Sequence, residues 1–196
     1  TVLANGMAEN AEITAEGDDF NAFMKALNTV TGFLSKSIAG DGEEMENLKN
    51  LAAELGVSRE VCFAGWVSDT DSFYEAIDIN TLTSISETFP YALTEGARAS
   101  LPTVSSNVGG VRYLIDHGST GFLFPPGNAE ALAGHLVTLA RDPALRKAMG
   151  ERLYHKADRD FSIEATIQKQ LEIYETILRY EKNGRDRVMI CGAYGR

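Results

Sequence analysis

Short apolar runs of strand length alternate with stretches of helical spacing along most of this chain, and that alternation restricts its fold more than any other feature. Phe20, Phe23, Met24, Leu27, Val30 and Leu34 recur at three- and four-residue steps and predict a helix, followed by the extended run Ser37-Ile38-Ala39. Gly40-Asp41-Gly42 then turns the chain into a second predicted helix carrying Met45, Leu48, Leu51, Ala52 and Leu55, which Gly56 stops in the C′ position. The pattern continues with a strand at Val61-Cys62-Phe63, a short helix from Ser72 to Ala76, a strand from Ile79 to Thr83 and a helix from Tyr91 to Ala99. Further strands are predicted at Thr103-Val104-Ser105 and at Gly121-Phe122-Leu123-Phe124. Such alternation with brief loops predicts an α/β fold, a Rossmann-like, doubly wound parallel sheet covered on both faces. Ligands in such sheets bind beyond the carboxyl ends of the strands.

The last third is helical. Asn128 is placed to cap a helix with Leu132, Leu136 and Leu139, and Asp142-Pro143 opens the next one in N-cap and N1 positions. A long C-terminal helix runs from about Ser162 to Tyr180, with Ile163, Ile167, Leu171, Tyr174 and Leu178 as an apolar stripe that needs a partner surface. After the polar segment Lys182 to Arg187, the run Val188-Met189-Ile190-Cys191 entering Gly192-Ala193-Tyr194-Gly195 reads either as a frayed tail or as the first strand of a further α/β domain. The expected organisation is therefore residues 1–160 as the ligand-binding domain, 161–182 as the helix, and 183–196 as a linker and start of another domain.

Composition narrows the function. A chain of 196 residues, 44% of them hydrophobic, can build one real core. Its 18 basic against 28 acidic side chains give a net charge of −10, which argues against a nucleic-acid-binding surface. Any phosphate-bearing ligand must find positive groups locally. Cys62 and Cys191 stand in unrelated segments, which suggests neither a disulfide framework nor a thiolate metal site and fits a reducing cytoplasm. No apolar run approaches the roughly 18 residues of a membrane span. The N-terminus lacks both a basic n-region and an initiator Met, so the chain is expected to be part of something longer.

The densest group of chemically useful residues is Ser86-Glu87-Thr88-Phe89-Pro90-Tyr91-Ala92-Leu93-Thr94-Glu95-Gly96-Ala97. Glu87 follows a predicted strand on the ligand side of the sheet, and Pro90 suits the first turn of the next helix. The amides of Tyr91, Ala92 and Leu93 then form an anion-binding helix N-terminus. Glu95 lies one turn in and leans back toward the same cleft, because helical side chains point toward the N-terminus. On residue type alone, a solvated loop carboxylate and a surface Glu that favours the helix dipole also account for the pair.

The order of motifs decides between these readings. Glu87 and Glu95 are followed by Ala99-Ser100-Leu101-Pro102-Thr103-Val104, Val108-Gly109-Gly110-Val111, Leu114-Ile115, Gly118 and Thr120-Gly121-Phe122-Leu123-Phe124-Pro125-Pro126-Gly127. From about Ile38 to Tyr180 this resembles the donor-binding, C-terminal half of the retaining group 1 glycosyltransferases of GT-B fold. The resemblance implies that Glu87 is the catalytic acidic residue, holding hydroxyls of the transferred sugar near the reacting carbon, and that Glu95 accepts hydrogen bonds from the nucleotide ribose. It also implies donor contacts from the backbone of Phe89, Pro90, Tyr91, Ala92 and Leu93. Carboxylates suit both acidic roles because each can accept two hydroxyl donors. Gly40 and Gly42 fall in the matching strand-to-helix turn. Gly109 and Gly110 allow close backbone approach to a ligand or helix, with a plain turn as the alternative. Trp66 falls where the family's loop faces the nucleobase, with core or surface packing as the alternative.

In one respect the sequence departs from this family. The resemblance calls for an Arg after a glycine at the end of the first strand and a Lys before a glycine at the next helix, to hold the leaving diphosphate. The counterparts here are Gly6-Met7 and Glu16-Gly17. A cation about 4 Å from a phosphate charge is worth about 4 kcal/mol at an effective dielectric of ~20, and a carboxylate reverses the sign. Donor binding is therefore expected to be impaired unless Lys25, Lys36 or Arg112 reaches the site.

Other motifs carry less. Gly40-Asp41-Gly42 lacks the third glycine of a dinucleotide fingerprint, and Glu43-Glu44 would repel a pyrophosphate. Asp69-Thr70-Asp71 superficially resembles a metal-binding Asp-x-Asp, but its place before a short helix favours capping. His117, His135 and His155 sit apart without ligand spacing, so no metal site is expected. The expected function is binding of a nucleotide-diphosphate sugar, without metal or cofactor, for retaining hexosyl transfer to a polysaccharide or glycolipid. The acceptor-binding N-terminal domain would lie outside this chain, and the full-length protein would be cytoplasmic with peripheral membrane association. The alternatives are a non-catalytic interaction module that keeps the fold, and a sugar-nucleotide epimerase or hydrolase. The glycine-rich tail faintly resembles the opening of polysaccharide pyruvyl transferases.

Overall fold

The computed structural model describes residues 2–5 and 36–182. Its strands are β1 (Val2–Asn5), β2 (Lys36–Ala39), β3 (Val61–Gly65), β4 (Ile79–Leu82), β5 (Thr103–Ser106) and β6 (Gly121–Phe124). They form one sheet in the order β3-β2-β1-β4-β5-β6, and every adjacent pair is parallel. Parallel neighbours cannot be joined by a tight hairpin, and helices fill the described connections. The described helices are α1 (Met45–Glu54), α2 (Thr70–Glu75), α3 (Tyr91–Arg98), α4 (Val111–Leu114), α5 (Ala129–Arg141), α6 (Pro143–Phe161) and α7 (Ile163–Lys182). The predicted helix from Phe20 to Leu34, the positions Gly6, Met7, Glu16, Gly17 and Lys25, and the tail from Val188 all lie outside the described residues.

Alternate strand residues point to opposite faces, and each face has its own apolar cluster. Ile38, Val61, Ile79, Val104 and Phe124 pack with Ala52 of α1, with Leu132, Leu136 and Leu139 of α5, and with Met149 of α6. On the other face Tyr74, Ile77 and Leu101 pack with Ala39, Phe73 and Ala99. Sheet and helices thus form the predicted doubly wound arrangement. The central strands β4 and β5 are buried along their whole length, as strands covered on both sides must be. They nevertheless carry buried polar side chains, among them Asn80, Thr81, Thr103, Ser105 and Ser106.

Local signals set most boundaries. Asp69, Asn128 and Asp142 accept from the backbone N–H groups of Ser72, Ala131 and Leu145 at 3.1, 3.0 and 2.9 Å, each capping the helix that follows. Hydrogen bonding from the Ser72 side chain, and then from its backbone N–H, holds the Asp69 carboxyl below its ordinary value. Gly56, at φ +70°, ends α1 in a Schellman turn, with its N–H on Ala53 O at 3.0 Å and that of the buried Val57 on Ala52 O at 2.9 Å.

The same turn ends α3, but the left-handed position is Ser100, at φ +56°. Its N–H donates to Ala97 O at 2.9 Å and that of Leu101 to Gly96 O at 3.0 Å. A left-handed L-residue costs about 1–2 kcal/mol, against the roughly 0.5–1 kcal/mol of extra chain entropy that glycine brings to the unfolded state. Ser100→Gly is therefore expected to stabilise the domain by about 0.5 kcal/mol, and calorimetry should show a rise of about 1–2 °C in Tm.

One sequence expectation is corrected, and two helix extents come from the structure alone. Pro90 is the N-cap of α3, at φ −77° and ψ 118°, rather than a residue of its first turn, and the helix starts at Tyr91 as expected. The helix opened by Pro143 runs on to Phe161. Val111–Leu114 is a short helix that no periodic pattern announced.

The chain divides into two compact units, with the boundary between Ala157 and Asp158. The first holds the sheet. Within the second, Ser162 caps α7 through a bond from Ala165 N–H at 3.1 Å. The stripe of Ile163, Ile167, Leu171, Tyr174 and Leu178 is exposed throughout.

Candidate functional site

The strand order reverses between β1 and β4, where one connection leaves toward β2 and the other toward β5. Asn5 and Leu82 are paired at the carboxyl ends of these two strands. A crevice opens where such connections part, and the loop from Thr83 to Pro90 emerges beside it.

That loop is fastened at three points. Buried Ser106, at the end of β5, donates through Oγ to Ser84 O at 2.6 Å. Ser84 Oγ in turn donates to Glu87 Oε1 at 2.7 Å, and Gly110 N–H donates to Thr88 O at 3.0 Å. Gly109 has φ +47°, and a Cβ there would overlap the Glu87 carbonyl, while one on Gly110 would overlap the carbonyl of Thr88. The glycine pair therefore lets one turn press against the backbone of the Glu87 loop. The two motifs, more than twenty positions apart in sequence, form a single support.

Pro90 leads the loop into α3. Its missing N–H removes a donor that the helix could not have used. Leu93 N–H turns back to Pro90 O at 3.2 Å, so of the three amides expected to face an anion, this one is occupied. Tyr91 N–H and Ala92 N–H have no acceptor among the described residues. Tyr91 itself is 78% exposed, and Leu93 is buried in the packing of α3.

Glu95 folds back along α3 as the helix geometry requires. Its Oε2 accepts from Tyr74 Oη at 3.1 Å, and the same phenol lies 3.2 Å from Ala92 O. Both carboxylates are thus steadied by neutral hydroxyl donors. Among the described residues neither has a Lys or Arg partner. Each keeps lone pairs for further hydroxyl donors.

The remaining predicted positions sit at the same edge of the sheet. Gly40, at φ +127°, donates its N–H to Gly65 O at 2.8 Å and ties together the ends of β2 and β3. Among the described residues beyond its own chain neighbours no atom lies within 4 Å of where a Gly42 Cβ would stand, and the Gly42 carbonyl receives Met45 N–H at 3.0 Å at the entry to α1. Trp66 follows β3 and is 61% exposed, which excludes core packing.

Of the candidate cations, Lys36 is the first residue of β2. Three residues of strand, about 10 Å, therefore separate it from the carboxyl edge. Arg112 lies two residues beyond the glycine pair, with its guanidinium 5.5 Å from the ring centroid of Tyr113.

The histidines do not all sit apart. His117 and His135 have ring centroids 5.5 Å apart, and His135 stacks on Phe122 at 4.5 Å. His117 Nδ1 accepts from Leu123 N–H at 3.0 Å. Burial, and then the neighbouring His117, lower the pKa of His135 from the ordinary value.

Sequence reasoning missed Tyr74, Ser84 and Ser106. Ser84 carried a faint signal, standing three residues before Glu87. Tyr74 and Ser106 carried none, because only the fold brings them to the loop.

Known proteins resemble this chain in sequence and in fold over most of its length. The family model for glycosyl transferases group 1 matches residues 27–156. The lipopolysaccharide core biosynthesis glycosyltransferase LpsE of Rhizobium meliloti is 34% identical over 81% of this chain and 46% of its own length. A glycosyltransferase structure from Rickettsia africae matches with a TM-score of 0.79 at 25% identity, over 91% of this chain and 48% of that one. Anabaena HepE in complex with UDP-glucose shares the fold, with a TM-score of 0.73 at 22% identity over 89% of this chain and 48% of that one. The chain spans just under half the length of these relatives. With the family's model covering most of the chain, its sheet carrying their fold, and the Glu87 loop standing at the switch point, the chain belongs to the group 1 glycosyltransferases of GT-B fold.

Proposed function

We propose that this chain is the donor half of a retaining hexosyltransferase, taking a nucleotide-diphosphate sugar without metal and passing its sugar to a polysaccharide or glycolipid hydroxyl. The observation that carries this reading is the pair Glu87 and Glu95. They flank one helix start beside the strand-order reversal, and hydroxyl donors hold both without neutralising them. Such groups recognise hydroxyl-rich ligands, Glu87 the sugar and Glu95 the ribose. The amides of Tyr91 and Ala92 would face the diphosphate, and Trp66 at the edge of the sheet would face the base. The solved relative bound to UDP-glucose supports the same class of donor.

The acceptor site belongs to the half of the enzyme outside this chain, so the isolated chain should bind donor without turning it over. The whole enzyme would work in the cytoplasm at the membrane surface. In the transfer step, the bond from the anomeric carbon to the diphosphate oxygen breaks as the acceptor oxygen bonds to the same face. The acceptor proton passes to the departing diphosphate.

Ligand-observed NMR titration with UDP, UDP-glucose, GDP and ADP tests the reading. A nucleotide is expected to bind with Kd of about 1 mM, equivalent to about −4 kcal/mol. Removing a charged acceptor costs about 1.5 kcal/mol, so Glu95→Gln should weaken every ribonucleotide about tenfold, and Glu87→Gln should weaken only the sugar-bearing donor. Absence of binding together with indifference to both substitutions would favour a non-catalytic module instead. Release of an altered or free sugar by the chain alone would favour an epimerase or hydrolase.

A further inference from the structure

We propose that Tyr74 is a positioning residue for the nucleotide site, holding Glu95 in the one orientation that presents its free carboxylate oxygen to the ribose hydroxyls. The proposal rests on the reading of Glu95 given above and adds a residue from a different element, α2. Tyr74 is 3% exposed and its ring packs in the apolar cluster beneath α3, so its hydroxyl is held by the core. Glu95 is exposed, and a free glutamate side chain samples many rotamers. Ordering one costs up to about 1.5–2 kcal/mol, so a carboxylate fixed before the ligand arrives binds more tightly than a mobile one.

A phenol has one proton, and among the described residues two acceptors lie near it: Glu95 Oε2 at 3.1 Å and Ala92 O at 3.2 Å. The surroundings direct the proton to the carboxylate. Ala92 O has two lone pairs. One serves the helical bond from Gly96 N–H, and the other receives Asn80 Nδ2 at 3.0 Å.

Asn80 is fully buried on β4, and its Oδ1 has no partner among the described residues. Turning the amide over would face Oδ1 to the Ala92 carbonyl, so repulsion fixes the orientation that donates. Gly96 makes room for this amide, since a Cβ at that position would overlap Asn80 Nδ2. Gly96, Asn80 and Ala92 thus form a relay that leaves the Tyr74 proton for Glu95. With Oε2 engaged, Oε1 remains open to two vicinal hydroxyls.

The test compares UDP with 2′,3′-dideoxyuridine diphosphate by ligand-observed NMR, for the wild-type chain, Tyr74→Phe, Glu95→Ala and the double variant. Circular dichroism checks that each folds. The phenylalanine ring preserves the packing and removes only the oxygen. Wild type is expected to prefer UDP, Tyr74→Phe to lose about tenfold of that preference, and the double variant to match Glu95→Ala alone, since the two residues act as one unit. A Tyr74→Phe chain with lowered Tm but unchanged preference overturns the proposal while leaving the function intact. So does an effect of Tyr74→Phe that persists without Glu95. Wild-type binding of both nucleotides with equal strength overturns the ribose role of Glu95 and with it the proposal. Failure of the wild type to bind either nucleotide overturns the donor-binding reading itself.

Discussion

Gly109→Ala is expected to lower stability by about 3 kcal/mol and to abolish detectable binding of a sugar nucleotide. About 1–2 kcal/mol comes from placing an L-residue in the left-handed region that Gly109 occupies, at φ +47°. The rest comes from the Cβ, which would overlap the carbonyl of Glu87 and must push the loop away; overpacking of this kind costs about 1–3 kcal/mol. The displaced segment carries Glu87 and leads into α3, so the damage reaches both carboxylates. Gly118→Ala is the matched control. Gly118 has φ +79°, but among the described residues beyond its own chain neighbours no atom lies within 4 Å of where its Cβ would stand, so it carries the backbone cost alone. Its loss should be about 1 kcal/mol with binding unchanged. Urea denaturation and nucleotide titration of the two variants check the contrast. Equal losses of stability and binding would refute the assignment of Gly109 to the support of the Glu87 loop.

Met7→Arg combined with Glu16→Lys is expected to tighten UDP binding by about 10³-fold. Each cation gains about 4 kcal/mol of attraction at 4 Å and an effective dielectric of ~20 before desolvation. If half survives desolvation, each contributes about 2 kcal/mol, or roughly thirtyfold. The wild-type chain should accordingly bind UDP, GDP and ADP only weakly. Of the replacements considered, Lys36 starts its strand at the edge away from the crevice. Arg112 lies over Tyr113. Titration calorimetry of the unmodified and doubly substituted chains decides the matter, and micromolar binding of a nucleoside diphosphate by the unmodified chain would defeat the expectation of impaired binding.

The carboxylate pair was legible because spacing along one segment fixes it. Glu87 lies in the loop that leaves a strand, Glu95 stands one turn into the helix, and the lean of helical side chains follows from local geometry. The role of Pro90 was misplaced by a single residue, since an N-cap and an N1 proline look alike in sequence until ψ is known. The left-handed Ser100 was hidden for a related reason. The Schellman turn normally announces itself by glycine, and here backbone bonds from Ser100 and Leu101 hold a serine in its place. The pairing of His117 with His135 was also out of reach, because their rings meet through a sheet edge and a helix distant in sequence.

The sequence by itself determined the alternation of strands and helices, the caps at Asp69, Asn128 and Asp142, and the chemical character of the Glu87 to Glu95 segment. These depend on interactions within a few residues, where side-chain type and spacing are the whole cause. Only the tertiary structure decided the strand order that makes β1 and β4 neighbours, the pressing of Gly109-Gly110 onto the Glu87 loop, and the reach of Tyr74 to Glu95. Those relations join residues whose contact depends on how parallel strands are ordered, and strand order is set by the packing of both faces of the sheet at once.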